Sequence, residues 1–386
     1  MKGKVRIIVL LILIQSCCFC QNKPHPDIID LISLAKAQER NVYAHEVFDS
    51  LSVLHPSNVI EGMIGRVMKS YVYKDFLIVA SRDYVQVFDL KGNFIFRTSK
   101  GKGPNEVQQI SDFTVDYDND ELLVLDVIGK KVVRVKFNGQ YHGVHEVKRG
   151  SMSLCYLGSN KTCYYVPYNY YQENGKLYDY FYIQDYEGVT YYTKKLKRET
   201  VDSHFVTMQF FRPFNNGCTF KPQYSDTVLF INREGFHNYK VFDYRGTQMP
   251  EKYAGNIDLR REFAHEYLGS SDAVFTPSYT FYYLEVKGGY LYLFVYDEKN
   301  KSAIKSKSGL NGLGLILGGS SSEMRVMPQF VNYDGSFLLV CDITDINKYV
   351  LGQEGSSEYY KSLFESLKKL DPGNDNPVFL KGYIKN

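Results

Sequence analysis

Few residues in this chain stand at the spacings that chemistry demands. Asp116-Tyr117-Asp118-Asn119-Asp120-Glu121 puts carboxylates at alternate positions, as a calcium loop does at its start. Such a loop also needs glycine at its sixth position and glutamate at its twelfth; here Glu121 takes the sixth and no glutamate the twelfth. An acidic hairpin turn fits the run better. Gly309 to Gly319, GLNGLGLILGG, lacks the G-x-G-x-x-G order and the βαβ surroundings of a dinucleotide site, so it reads as a connecting loop. His142 and His145 are the close pair among eight histidines, and on a strand residues three apart point to opposite faces, which argues against a shared metal. There is no G-x-S-x-G elbow, and beyond the first twenty residues no CxxC and no zinc spacing. No catalytic residue, metal or cofactor is expected, and a hydrolase or lyase assembled only by folding is the alternative.

Cysteines beyond the first twenty residues are Cys155, Cys163, Cys218 and Cys341. Cys155 and Cys163 lie symmetrically about Ser159 in the turn Gly158-Ser159-Asn160, so they can face each other across a hairpin. An exported protein permits that disulfide; two buried free thiols are the other reading.

The elements that must position any site are organised around Tyr71 to Val107. Phe76 to Ala80 and Val85 to Phe88 alternate about Ser81-Arg82-Asp83, and Phe94 to Arg97 follows the turn Asp89-Leu90-Lys91-Gly92. With Arg66 to Tyr73 in front, this is a four-stranded antiparallel meander, the size of one propeller blade. Gly101-Lys102-Gly103-Pro104-Asn105-Glu106 then hands the chain on. Turn glycines recur at Gly92, Gly139, Gly188 and Gly246, in steps of 47, 49 and 58 residues. Two further hairpin regions, Phe275 to Lys307 and Met324 to Ile343, bring the count to six. The fold class expected is all-β, a six-bladed propeller of four-stranded blades. Gly92, Gly103, Pro104, Gly139, Gly188 and Gly246 are read as structural turns.

VQVFDLKGNFIFRTSKGKGPNEVQQISDFTVD (Val85 to Asp116), Ser225-Asp226-Thr227-Val228 and the ending Asn374-Asp375-Asn376-Pro377-Val378 resemble the six-bladed β-propeller lipoproteins of Bacteroidetes, an NHL- and TolB-like group of unknown function. The resemblance implies a propeller outside the cytoplasm and no set reaction. Asn105 stands where that family carries glycine, and asparagine tolerates the left-handed backbone such a turn would use.

At the start, Lys2, Lys4 and Arg6 precede the apolar run Ile7 to Ile14, which is too short to span a bilayer and reads as a signal peptide over residues 1–20. Ile14-Gln15-Ser16-Cys17 approximates a lipobox, which makes Cys17 the lipidation site; ordinary cleavage near Cys20 is the alternative. Residues 21–41 read as a tether with a helical turn at Asp30 to Ala37, and 42–386 as the propeller. Its ring would close by pairing Val42 to Ile60 with Pro377 to Ile384. Tyr360, Leu363, Phe364, Leu367 and Leu370 follow the helical period ahead of that last strand.

Composition agrees, with 34 Tyr, 25 Phe and no Trp, an aromatic content suited to pleated, half-buried surfaces. The formal net charge of +3 leaves no nucleic-acid footprint. The function expected is non-catalytic: a monomeric, lipid-anchored outer-membrane or periplasmic module binding a glycan, peptide or envelope protein. A structural part of an envelope complex is a further alternative. Ligands are expected at loops around the axial channel, including Gly101 to Gln108, Arg198 to Phe205 and Ser306 to Ser322. Lys100, Lys102 and Arg198 would give one mouth a positive potential.

Overall fold

The computed structural model describes residues 26–198, 210–222, 225–254, 256–286, 290–306, 314–317, 324–328, 330–341, 346, 358–370 and 376–385. Cys17 and most of the loops expected at 198–205 and 306–322 lie outside them. Most strands group into six blades around one axis, with a separate two-stranded sheet formed by Leu315–Leu317 and Met324–Val326. Blade 1 is the meander Lys69–Tyr73, Phe76–Ala80, Val85–Asp89, Phe94–Arg97, as its turns predict. Blades 2, 3, 4 and 5 begin on Ile110–Asp116, Ser153–Gly158, Arg212–Phe214 and Gly269–Phe275.

Inner strands are buried on both faces because each blade packs against a neighbour on either side, so Ile110–Asp116 shows no exposed residue. The outer strand Phe94–Arg97 alternates between half-buried and exposed, since it has one neighbour only. Asx turns link the third and fourth strands: Asp89 Oδ1 accepts from Lys91 N at 2.8 Å and Asn93 N at 2.9 Å, and Asp185 Oδ1 from Glu187 N at 3.0 Å and Val189 N at 2.9 Å. Gly92, Gly139, Gly188 and Gly246 all carry positive φ. Gly103 does not, and neither does Asn105, so that crossing needs no left-handed residue there. Glu106 organises it instead: its carboxylate accepts from Gly103 N at 2.8 Å, while Lys131 Nζ donates to the carbonyls of Gly103 and Pro104 at 2.7 and 3.0 Å.

The ring closes in blade 6, where Phe330–Val331, Phe337–Cys341 and Val378–Ile384 are completed on the outside by Phe48–Leu54. Leu380 pairs with Val53 across that seam, uniting the two ends of the chain. The helix Glu358–Lys368 buries Tyr360, Leu363, Phe364 and Leu367 in the same core as the seam.

Residues 27–40 differ from the tether read in the sequence. Asp27–Asp30 adds a parallel fifth strand to the edge of blade 4, and Gln38–Arg40 does the same for blade 5. Between them Leu31 and Leu34 are buried, so apolar burial holds this strap against the body. Among the described residues no helix is long and apolar enough to cross a membrane.

Candidate functional site

Inner strands begin at one mouth of the axial channel and end at the other. At the first, here the upper mouth, Lys69 opens the inner strand of blade 1 and sends its ammonium to Asp112 of blade 2 at 2.7 Å. Both side chains are essentially buried. Lys69 also donates to the Phe113 carbonyl at 2.8 Å and lies over the rings of Tyr71, Phe113 and Phe210 at 4.9 to 5.4 Å. Asp112 Oδ1 further accepts from Phe113 N, and Oδ2 from Leu154 N of blade 3 at 2.9 Å. One carboxylate therefore ties three blades together. Burial pushes its pKa up, and Lys69 opposes that shift.

A second pair, Arg212 of blade 4 and Asp272 of blade 5, faces the cavity. Arg212 Nη1 donates to Asp272 Oδ1 at 3.0 Å, and Nη2 donates to Oδ2. The Asp272 side chain is 36% exposed, and Arg212 Nε has no partner among the described residues. Around them Tyr71, Phe210, Phe211, Tyr283, Phe330 and Met327 wall a cavity of about 250 Å³. Behind it burial lowers Lys221 to about 8, with Asp272 pulling the other way.

The axis below is filled by aromatic rings. Tyr71 meets Tyr333 at a centroid distance of 5.7 Å, Tyr333 shares a 2.6 Å hydroxyl contact with Thr114, and Tyr117 meets Tyr333 at 5.7 Å. This stack separates the upper mouth from a lower one of about 500 Å³, which Tyr117, Tyr333, Asn216 and Arg233 help to line.

Residues singled out in the sequence fall elsewhere. Arg198 ends the outermost strand of blade 3, not an inner strand or a channel loop, and its buried guanidinium is committed to Asp179, with Glu251 at 3.8 Å. Lys100 is exposed and pairs with Asp83, and Lys102 is exposed. None of the three lines the upper or the lower mouth. The acidic run 116–121 is divided among separate partners: Asp116 accepts from Tyr186 Oη, Asp118 from Tyr156 Oη at 2.8 Å, and Asp120 from Tyr73 Oη at 2.6 Å. His142 is exposed, while His145 is buried with its Nε2 2.7 Å from Tyr164 Oη. No cluster of metal-ligating side chains forms among the described residues. Cys155 and Cys163 are direct cross-strand partners, as their symmetry predicts, and both are buried free thiols.

Arg212 and Asp272 went unread in the sequence, being lone charges 60 residues apart. One signal was present: Ser111-Asp112 and Ser271-Asp272 repeat the same dipeptide within the inner strands of blades 2 and 5.

No curated protein matches the chain. Among solved structures, a Bacteroides fragilis protein assigned as exported is 16% identical with a TM-score of 0.68, covering 91% of this chain and 99% of its own. A DUF4221 family member from Bacteroides vulgatus is 11% identical with a TM-score of 0.46, covering 88% and 99%. A streptogramin B lyase is 10% identical with a TM-score of 0.42, covering 88% and 99%. The first shares the fold; the other two are too distant to carry an argument. Residues 27–381 match the model of the family described as Domain of unknown function (DUF4934), and the chain belongs to that family.

Proposed function

We propose that the protein is an exported, non-catalytic binding module, held to the membrane through acylated Cys17, that takes the end group of an envelope glycan or peptide at its upper mouth. The observation that carries this reading is Arg212 beside Asp272: an accessible carboxylate held in place by a mostly buried guanidinium, set in an aromatic wall. The exposed carboxylate edge offers an oriented acceptor, which suits a hydroxyl or amide N–H on an apolar body. A cavity of about 250 Å³ limits the inserted group to the size of one sugar ring or side chain.

General acid–base chemistry needs a carboxylate free to exchange a proton. Asp112 already accepts from Lys69, Phe113 N and Leu154 N, and Asp272 accepts from both terminal nitrogens of the Arg212 guanidinium and from Ala273 N. That favours binding over hydrolysis. Export is supported by the basic and apolar start of the chain and by the exported assignment of the Bacteroides fragilis protein.

Calorimetry of the parent, Asp272→Asn and Phe330→Ala against envelope-derived sugars and short peptides tests the site. Binding by the parent and its loss in both variants, each still folded with a cooperative melting transition, is the expected result. Binding that survives both substitutions rejects the upper mouth. Mass spectrometry of the mature N-terminus tests the anchor, and a chain beginning beyond Cys20 rejects it.

A further inference from the structure

The lower mouth has a different chemistry. Tyr117 projects from the first turn of blade 2 with 39% of its surface exposed. Its ring makes T-shaped contacts with Tyr156 at 5.0 Å and 76° and with Tyr333 at 5.7 Å and 65°. A ring braced by two neighbours and still partly open to solvent is a preorganised platform, since little side-chain freedom remains to be lost on binding. Burial pushes the Tyr117 hydroxyl up to about 12, so the platform is uncharged at neutral pH.

Turns from blades 3 and 4 complete the mouth. The turn holding left-handed Asn215 presents Asn216, which is exposed. Asn232 uses its Oδ1 to accept from Glu234 N at 2.9 Å, leaving its amide NH₂ without a partner among the described residues. The remaining charges balance locally: Arg233 and Glu234 are neighbours, and the Asp118 carboxylate already accepts from Tyr156 Oη and Ser159 N.

From this geometry we infer that the lower mouth is a second, separate ligand site, one that binds a neutral saccharide stacked on Tyr117. A pyranose has an apolar C–H face and a rim of hydroxyls that both donate and accept. The face fits an uncharged aromatic platform, and the rim fits amide side chains, which do the same. Balanced charge favours a neutral sugar over an anionic one. An open cleft of about 500 Å³ admits more than one ring. The Tyr71–Tyr333 contact across the axis separates this site from the upper mouth, so the two bind independently.

The probes are neutral oligosaccharides of two to six units: β-1,4-glucan, α-1,4-glucan, β-1,4-mannan and β-1,4-linked N-acetylglucosamine. Saturation-transfer NMR and calorimetry are run on the mature chain, Tyr117→Ala, Tyr117→Phe, Asn216→Ala and the upper-mouth variant Phe330→Ala. At least one probe should bind the parent. Tyr117→Ala should weaken it by about tenfold or more, Tyr117→Phe by no more than about threefold, and Phe330→Ala not at all. Tyr117→Phe should keep the parent melting temperature; Tyr117→Ala loses two ring contacts, and any fall in its melting temperature is controlled by Asn216→Ala, which should weaken binding alone. No binding of any probe overturns the inference. So does binding that survives Tyr117→Ala; if Phe330→Ala then abolishes it, the sugar belongs to the upper mouth and the function proposed there stands.

Discussion

Asp112 in blade 2 and Asp272 in blade 5 occupy equivalent places on opposite sides of the ring. Each stands at a register shift in its inner strand and accepts at 2.8 Å from the N–H of the next residue. Each also takes a cation from the preceding blade, Lys69 or Arg212. The two pairs differ in access: one is closed off, and the other faces the upper cavity.

That difference sets their energetic weights. Removing one partner of a buried pair leaves an uncompensated charge, so Asp112→Ala should cost about 3–5 kcal/mol. Asp272→Ala should cost about 1 kcal/mol, because water can solvate the arginine left behind. The double variant Lys69→Met with Asp112→Leu should recover most of the loss. Urea unfolding of the four proteins checks the order, and equal costs for the two aspartates would reject it.

Stability should fall in acid through His145. Burial, with Arg134 nearby, lowers it to about 4 from 6.5. Between those values the unfolded chain takes up a proton that the folded state refuses, so the contribution is complete above pH 6.5 and is lost as pH drops towards 4. Its size is roughly 3 kcal/mol at most. His145→Gln should flatten the pH dependence of the urea midpoint between pH 7 and 4, relative to the parent.

Glycine substitutions should separate into three grades. At Gly92 φ is +88° and an added Cβ would lie 2.0 Å from the His55 carbonyl, so Gly92→Val should cost about 3 kcal/mol or more. Gly246 also has positive φ but open space around it, and Gly246→Ala should cost about 1 kcal/mol. At Gly103 the added Cβ meets only the flexible Glu106 carboxylate at 3.0 Å, and Gly103→Ala should be within about 1 kcal/mol of the parent. Melting temperatures of the three variants check the ranking.

Deleting the chain up to residue 41 should lower the melting temperature and leave a monomer, because it removes the straps but spares the closing strand. Those straps are held partly by Arg245 to Asp30 and Lys305 to Glu39. Deletion through residue 54 removes Phe48–Leu54 and leaves the edge of Val378–Ile384 unpaired. Exposed strand edges associate, so this longer deletion should elute as aggregates in size-exclusion chromatography. A monomer from it would reject the role of the seam.

Much of the ring was legible because its signals are local. Asp89 to Gly92 announced a turn within four residues, and the helical spacing of Tyr360, Leu363, Phe364 and Leu367 announced the helix. Closure of the ring by Val378–Ile384 followed from topology alone. The upper mouth was not legible, since Lys69, Asp112, Arg212 and Asp272 meet only when four inner strands converge on the axis. Arg198 misled for the same reason: at the end of a basic run it reads as a solvated loop charge, and only the packing of blade 3 shows Asp179 beneath it. The strap over residues 27–40 was hidden because short parallel strands carry too few residues to show a period.

The strap has a mechanical meaning. A pull on the chain ahead of Asp27 loads the pairing of Asp27–Asp30 with blade 4 first, and that of Gln38–Arg40 with blade 5 second. Only after both have peeled does tension reach Phe48–Leu54, the strand that keeps the ring shut. Two short clasps of four and three residues thus act as fuses in series, yielding to a tug on the N-terminal end while the six blades and both mouths keep their shape.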